Sequence, residues 1–392
     1  MLIRRCAILM IEPRESVEFD FDSLLSGGAG LHEQRQWVAL APHLDAAVEL
    51  SAEEIAPLGL VSTRDWSERE RLAEQCDGAL IDALLKKGLL IADAPEFADM
   101  RSREERLRNQ YWHPLTAVAH AFGRWDGVTS GENMRNVGIV SVADLVDQLG
   151  EPPPHFLERT PRAQRIALAP PDEKTPLDDL LRRRTVCRNY DASRPLPIAL
   201  LNKIVHRVFA AQATHHVTPT AAIVKKTSPS AGGLHPTEAY FLLQNVEGLA
   251  PGLYHYHAGE HALEPMQSLT RDATHALAMR FLAHQDWFAN AHAIVILAPR
   301  FERSFWKYRA HAKVYRAVTL DVGHLSQTLQ ISATEFGLGA FITSAINEAD
   351  IERELQLESM REGPLAICGF GWRAEKCERM EFDPLRAVWP KE

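Results

Sequence analysis

Ser228-Pro-Ser-Ala-Gly-Gly-Leu-His-Pro236, followed by Thr237-Glu238 and the apolar run Ala239 to Leu243, is the stretch on which the reading of this 392-residue chain turns. Two adjacent glycines remove Cβ atoms and open backbone angles closed to other residues, so main-chain N–H groups can approach a flat ligand closely. The turn empties directly into an apolar, strand-like run. A tight structural turn before a strand accounts for any one of these residues, but it is a poor account of the whole run.

Three further segments belong beside it: Arg182-Arg-Arg-Thr-Val-Cys-Arg-Asn-Tyr190, Trp306-Lys-Tyr308 and Leu320-Asp-Val-Gly-His-Leu-Ser-Gln327. Together the four resemble the nitroreductase superfamily of flavin enzymes. Within it they are similar to the SagB/ThcOx-type FMN-dependent dehydrogenases, which oxidise azolines during maturation of ribosomally made peptides. The resemblance runs from about residue 180 to residue 372. It implies an α+β fold: a nitroreductase-like FMN-binding sandwich with a central, mostly antiparallel sheet flanked by long helices. It also implies a homodimer, in which the long helix lies along the interface and the FMN is shared between subunits.

An FMN site requires cations for the phosphate, backbone donors at the isoalloxazine edge and a dry face where substrate meets N5. Arg183, Arg184, Thr185 and Arg188 stand where the family carries its Arg-Arg-Ser-x-Arg-x-aromatic motif, and a planar guanidinium binds two phosphate oxygens at once. Here Thr replaces Ser, and Val186-Cys187 adds a residue before Arg188. Taken alone, such a basic run is more often a solvated helix end. The resemblance assigns Ser230, Ala231 and Gly232 to the flavin ring, adds His324, Gln327 and Gly339 as cofactor contacts, and places Arg373 as a further phosphate cation. Thr328 stands where the family usually has Asn after the Gln.

Making an aromatic azole removes a hydride from one ring carbon and a proton from the other, and a base must take the proton. Free Lys and Tyr hold their protons at neutral pH; desolvation favours neutral Lys, and a Lys cation favours Tyr ionisation. From the resemblance, Lys307 and Tyr308 are base and proton relay. Without it, a Lys-Tyr pair reads as surface. Gly323 within the long helix costs about 1 kcal/mol relative to Ala, which predicts close packing there.

Net charge of -9 argues against a general nucleic-acid binder, whose phosphate contacts need clustered cations. Five cysteines with no CxxC pair suit a reduced, cytoplasmic protein. No stretch approaches the length that spans a bilayer, and the first twelve residues read as a strand rather than a signal peptide. His255, His257 and His261 lie close together, but no Cys or carboxylate completes a metal set, so no metal is expected. No nucleophile elbow surrounds any serine.

Residues 1–150 and 175–392 read as separate domains joined by a Pro-rich linker, 151–174, that contains Pro152-Pro-Pro154 and Pro170-Pro171. In the first, a helix from Ser67, a second from Ala79 and a strand at Leu89–Ile91 give a winged-helix-like pattern. A peptide-recognition role and a merely packing role both fit it. In the second, Leu196–Ala211 predicts a helix, Glu238–Gln244 a strand, Gly252–His257 with His261–Met266 a hairpin, and Ala293–Ala298 a buried strand. Tyr315, Val318, Val322, Leu325, Leu329, Ala333 and Phe336 recur at helical spacing, and strands follow at Gly339–Thr343 and Pro364–Phe370. The resulting expectation is an FMN-dependent dehydrogenase acting on a precursor peptide, with a cyclodehydratase or other maturation enzyme as a possible partner. Its rivals are an NAD(P)H-dependent nitro-, ene- or dehydroamino-acid reductase on the same fold and a flavin-free peptide scaffold.

Overall fold

The computed structural model describes residues 1–139, 141–171 and 174–390, and the chain divides into two compact units. One comprises Met1–Arg124, Arg300–Ala317 and Leu357–Gly363; the other comprises Trp125–Pro299, Val318–Gln356 and Pro364–Glu392.

In the first unit, strands β1 (Leu2–Arg5), β2 (Met10–Phe19), β3 (Leu31–Leu40), β4 (Val48–Leu50), β5 (Ser67–Glu68) and β6 (Leu90–Ala92) form two sheets, ordered β5-β1-β6 and β2-β3-β4. The helix Gly78–Lys86 starts where the Asp77 side chain accepts the Ala79 amide, and it buries Ile81, Leu84 and Leu85. These share a core with Ile3, Leu90 and Ile91. Two sequence expectations change here. The N-terminal apolar run makes two strands rather than one, and Ser67 opens β5, paired with Ile3, rather than a helix; the helix begins at Arg69.

The expected boundary at residue 150 also moves. From Trp125 the backbone bonds into the second unit: the Trp125, Gly127 and Val128 amides donate to Glu348, Asp350 and Asn347 side chains at 2.8, 3.0 and 2.9 Å. Conversely, Arg300–Ala317 joins the first unit through an aromatic cluster. Trp112 meets Phe301 and Phe305 at ring-centroid distances of 4.9 and 4.5 Å, and its Nε1 donates to the Met360 carbonyl at 2.8 Å. Burying two phenylalanines, Phe301 and Phe305, is worth roughly 1.5–3 kcal/mol each.

The second unit contains an exposed hairpin of β7 (Ala213–Thr218) and β8 (Ala221–Lys225), which the sequence reading did not anticipate. It also holds a six-stranded sheet of β9 (Thr237–Leu243), β10 (Gly252–His257), β11 (Ala262–Ser268), β12 (Ala293–Pro299), β13 (Leu338–Thr343) and β14 (Ala366–Trp372). The order is β11-β10-β9-β12-β14-β13, and every paired neighbour runs antiparallel. Strand β12 lies inside the sheet and is buried on both faces, which is why it reads as an unbroken apolar run. The helix Val314–Glu335 sends Val322, Leu325, Leu329 and Ala333 into one core with Phe241, Val295 and the Ile198–Phe209 helix. This is the expected α+β architecture. The described residues of 151–174 are exposed and form only one short turn, Arg162–Gln164. No helix among the described residues is long and apolar enough to cross a membrane.

Candidate functional site

The Ser-Ala-Gly-Gly turn lies against the long helix. The buried Asp321 accepts the Ser230 hydroxyl at 2.5 Å and the Ala231 amide at 3.0 Å. Ser230 Oγ in turn accepts the His235 amide at 2.9 Å, and Gly232 takes φ +63° to turn the chain. Seven residues along the helix, two turns from Asp321, Thr328 shares a hydrogen bond with Ser228 at 2.8 Å. The threonine that replaces the family's asparagine thus has a definite partner. Burial raises the Asp321 carboxyl above its ordinary value, opposed by the Ser230 and Ala231 hydrogen bonds and by His324. His324 and Gln327 are exposed on the same helix. Gly323 is exposed too, and a Cβ there meets nothing within 4 Å, so the close packing expected at this glycine is not made among the described residues.

The arginine cluster divides. Arg183 ends the helix Pro176–Arg183, exposed. Arg184 is half-buried and donates to Gln330 at 3.2 Å, on the long helix again. Thr185 is buried, and its hydroxyl has no hydrogen-bond partner among the described residues. Arg182, Arg184, Thr185 and Lys174 line a cavity of about 620 Å³. Asp178 and Asp383 also line it, but both carboxylates are committed: Asp178 to the Thr175 amide and hydroxyl, Asp383 to the amides of Ala387, Val388 and Trp389. A buried hydroxyl left without a partner beside clustered cations suits a phosphate. Gln330 lies nine residues beyond Asp321, about 14 Å at 1.5 Å per residue, so one helix spaces this cavity from the turn.

Arg188 and Arg373 differ from their expected role. The Arg188 guanidinium donates to the Met380 carbonyl at 2.9 Å, and Arg373 is ion-paired with Glu381. Both cations are spent on the C-terminal segment rather than left for a phosphate. Gly339 has a packing reason: a Cβ there falls 2.3 Å from Cys187 Sγ, where the Cys187 amide donates to the Ala340 carbonyl. Burial pushes the Cys187 thiol up to about 12, which removes it as a nucleophile.

Lys307 and Tyr308 end the helix Phe301–Tyr308, in the first unit. Lys307 is exposed, its ammonium 5.3 Å from the Tyr308 ring centre. The desolvation expected around this lysine is therefore not supplied by the unit that carries it. Arg309, next in sequence, takes φ +49°, ψ −149°, a conformation that costs a non-glycine residue about 1–3 kcal/mol, and its guanidinium lies 4.1 Å from the Tyr111 ring centre. Among the three hairpin histidines, His255 bonds to Glu264 at 2.5 Å and Glu238 at 3.4 Å, and those carboxylates, Glu238 first, raise its basicity against burial. His261 instead bonds to Tyr256 and Asn202, and His257 accepts the Glu260 amide.

Asn189, Gln330 and Glu381 were not singled out from the sequence. Only the first lies inside the arginine motif, so only it carried a signal.

The nitroreductase family profile matches residues 180–372. A nitroreductase of Methanocaldococcus jannaschii is 32% identical over 206 residues, which are 53% of this chain and 96% of that protein. The trifolitoxin-processing protein TfxB of Rhizobium leguminosarum bv. trifolii is 26% identical over 183 residues, and the match spans only 47% of its length. Among solved structures, the E. coli microcin synthetase McbBCD complex with truncated pro-MccB17 bound shares 19% identity over 69% of this chain and 97% of that one, TM-score 0.49. A nitroreductase from Anabaena variabilis shares 19% over 50% of this chain and 38% of that one, TM-score 0.42. The fold and the family likeness define an oxidoreductase scaffold. This chain belongs to the nitroreductase family.

Proposed function

We propose that this protein is an FMN-dependent dehydrogenase of peptide maturation, oxidising an azoline or a related Cα–Cβ bond on a precursor peptide. The observation that carries the flavin half is the Arg184–Thr185 cavity, which one helix links to the Asp321-held turn. Arg182, Arg184, Lys174 and the Thr185 hydroxyl would hold the phosphate, and the Ser230–Gly232 turn would border the ring. The peptide half is supported by the likeness to a trifolitoxin-processing protein and by the Lys307-Tyr308 pair.

When bound, FMN supplies an acceptor for two electrons and one hydrogen, a hydride, leaving the second hydrogen of the azoline as a proton. This chain's part is that proton. One member of the Lys307–Tyr308 pair takes it from the ring carbon and the other passes it toward solvent, which their position at an exposed helix end permits. Substrate and a partner subunit must then supply the dry surroundings that the exposed Lys307 lacks. A homodimer is supported by the exposed stripe Leu320, Gly323, His324 and Gln327 on the long helix. We place peptide recognition in the first unit, because that unit also carries the Lys-Tyr helix, and the protein in the cytoplasm.

A second reading, an NAD(P)H-fed reductase, is favoured by the archaeal nitroreductase that nearly all aligns with this chain. The two are separated by co-expressing a candidate precursor and measuring its mass. Loss of two hydrogens from the peptide supports the dehydrogenase. An unaltered peptide, together with rapid NAD(P)H consumption on nitroarenes, selects the reductase. A colourless protein that refuses added FMN defeats both.

A further inference from the structure

Glu381 has no exposed side-chain surface and gathers five donors. Its Oε1 accepts the Arg188 amide at 2.6 Å, the Asn189 amide at 3.1 Å and Asn189 Nδ2 at 2.9 Å; its Oε2 accepts Trp389 Nε1 at 2.9 Å and the Arg373 guanidinium. Asn189 holds the same segment by its backbone. Its Oδ1 accepts the Glu378 and Arg379 amides at 3.0 and 2.8 Å, and its Nδ2 donates to the Arg379 carbonyl at 2.7 Å. Desolvation opposes the Glu381 charge, yet the Arg188 amide and the other donors win and hold the carboxyl below its ordinary value.

The segment fixed in this way continues as Phe382 and Leu385, which line the Arg184–Thr185 cavity. Both are apolar, and nothing among the described residues covers them: they are 83% and 57% exposed. Apolar side chains left open at the rim of a cation-lined cavity suit a ligand that is anionic at one end and apolar or ring-like elsewhere.

We propose that the C-terminal segment is a wall of the cofactor site, with Glu381 as the positioning residue that pins it and Phe382 and Leu385 as the surface that slows escape of a phosphorylated ligand. This rests on the flavin reading. Arg188 and Arg373 then serve to anchor the wall, and the phosphate falls to the residues around Thr185. Asn189, inside the arginine motif, becomes the adaptor between that motif and the tail.

The experiment compares the full-length wild type, Glu381→Gln and the double variant Phe382→Ala/Leu385→Ala. Two readouts are used: trypsin cleavage after Arg379, and the dissociation rate of FMN followed by recovery of its fluorescence. Glu381→Gln keeps the shape but loses the charge, so tail cleavage and FMN dissociation should both quicken, each by about tenfold or more, the scale of hydrogen bonds to a charged group. The double variant keeps the pin, so cleavage should stay at the wild-type rate while FMN leaves faster. Unchanged cleavage in Glu381→Gln overturns the pin. Unchanged or slower FMN loss in both variants overturns the wall. A wild type that takes up no FMN fails the flavin reading before any variant is compared, and takes the wall with it; the trypsin readout still decides the pin. Melting curves score folding separately, and the exposure of Phe382 and Leu385 makes the double variant safe on that count.

Discussion

Asp321 on the long helix accepts the Ser230 hydroxyl at 2.5 Å and, through its other oxygen, the neighbouring Ala231 amide at 3.0 Å. One buried carboxylate therefore fixes two consecutive residues of the turn proposed to border the flavin. Asp321→Ala should cost about 1–3 kcal/mol, because it leaves two donors without a partner. Asp321→Asn retains an acceptor and should cost less. The folded carboxyl sits above its unfolded value, so its contribution is fullest at low pH and declines as pH rises from the unfolded value through the raised folded one. Urea unfolding across that range should show the decline in wild type and its loss in Asp321→Asn; identical slopes would refute the role of the charge.

The two arginines next to Thr185 should not be equivalent. Arg184 is half-buried, lines the cavity and bonds to Gln330, whereas Arg183 is exposed. Arg184→Ala should weaken FMN binding by roughly 10- to 100-fold, the worth of a charge-assisted contact, while Arg183→Ala changes it less. Thr185→Val should also weaken binding, since it removes the buried hydroxyl left without a partner. Equilibrium titration with FMN measures all three, and full retention in Arg184→Ala would move the phosphate elsewhere.

Lys307→Ala and Tyr308→Phe should each lower peptide oxidation by about 10²–10⁴-fold while FMN stays bound, the usual contribution of a positioned acid or base. Single-turnover oxidation, with flavin reduction followed by absorbance, checks this. Wild-type turnover in either variant removes that residue from the proton path.

His120 provides a pH signature in the other unit. Burial drives its pKa down to about 4 from 6.5, and Nε2 faces the Ser359 carbonyl at 2.9 Å. A carbonyl only accepts, so the neutral ring carries its hydrogen on Nε2, and the bare Nδ1 accepts the Tyr315 hydroxyl at 3.2 Å. Because the folded value is depressed, the stabilisation is complete above about pH 6.5 and is lost as pH falls toward 4. The loss is on the order of 3 kcal/mol over that window. His120→Gln, which does not titrate, should flatten this part of the stability curve; an unaltered slope would contradict the assignment.

The sheet and the long helix were legible because burial patterns them. β12 is apolar throughout, and Val318 to Phe336 recur every three or four residues. The turn was legible because Gly232 and Gly233 punctuate it. The β7–β8 hairpin was not, since its exposed residues carry no core-facing alternation. Asp321 could be seen but not given a role, because its partners lie some ninety residues away. The pairing of Glu381 with Arg188 spans 193 residues and leaves no local pattern at all. The domain boundary failed for the same reason: Trp125–Val128 is tied by hydrogen bonds to residues more than two hundred positions further on.

The packing of Trp112 and His120 on Phe301 and Phe305 decides what a truncation of the first unit reports. Removing residues 1–124 also strips Trp112 and His120 from Phe301 and Phe305, which are 0% and 1% exposed in the intact chain. Such a truncation should aggregate or melt early rather than report on peptide binding, because two buried phenylalanines are laid open next to the Lys307-Tyr308 pair. Trp112→Ala is the milder probe. It opens a cavity in the aromatic cluster and deletes the bond to Met360, for an expected loss of about 3–5 kcal/mol. Chemical unfolding of the full-length variant measures the loss. A variant within about 0.5 kcal/mol of wild type would show that Arg300–Ala317 is held by something other than this cluster.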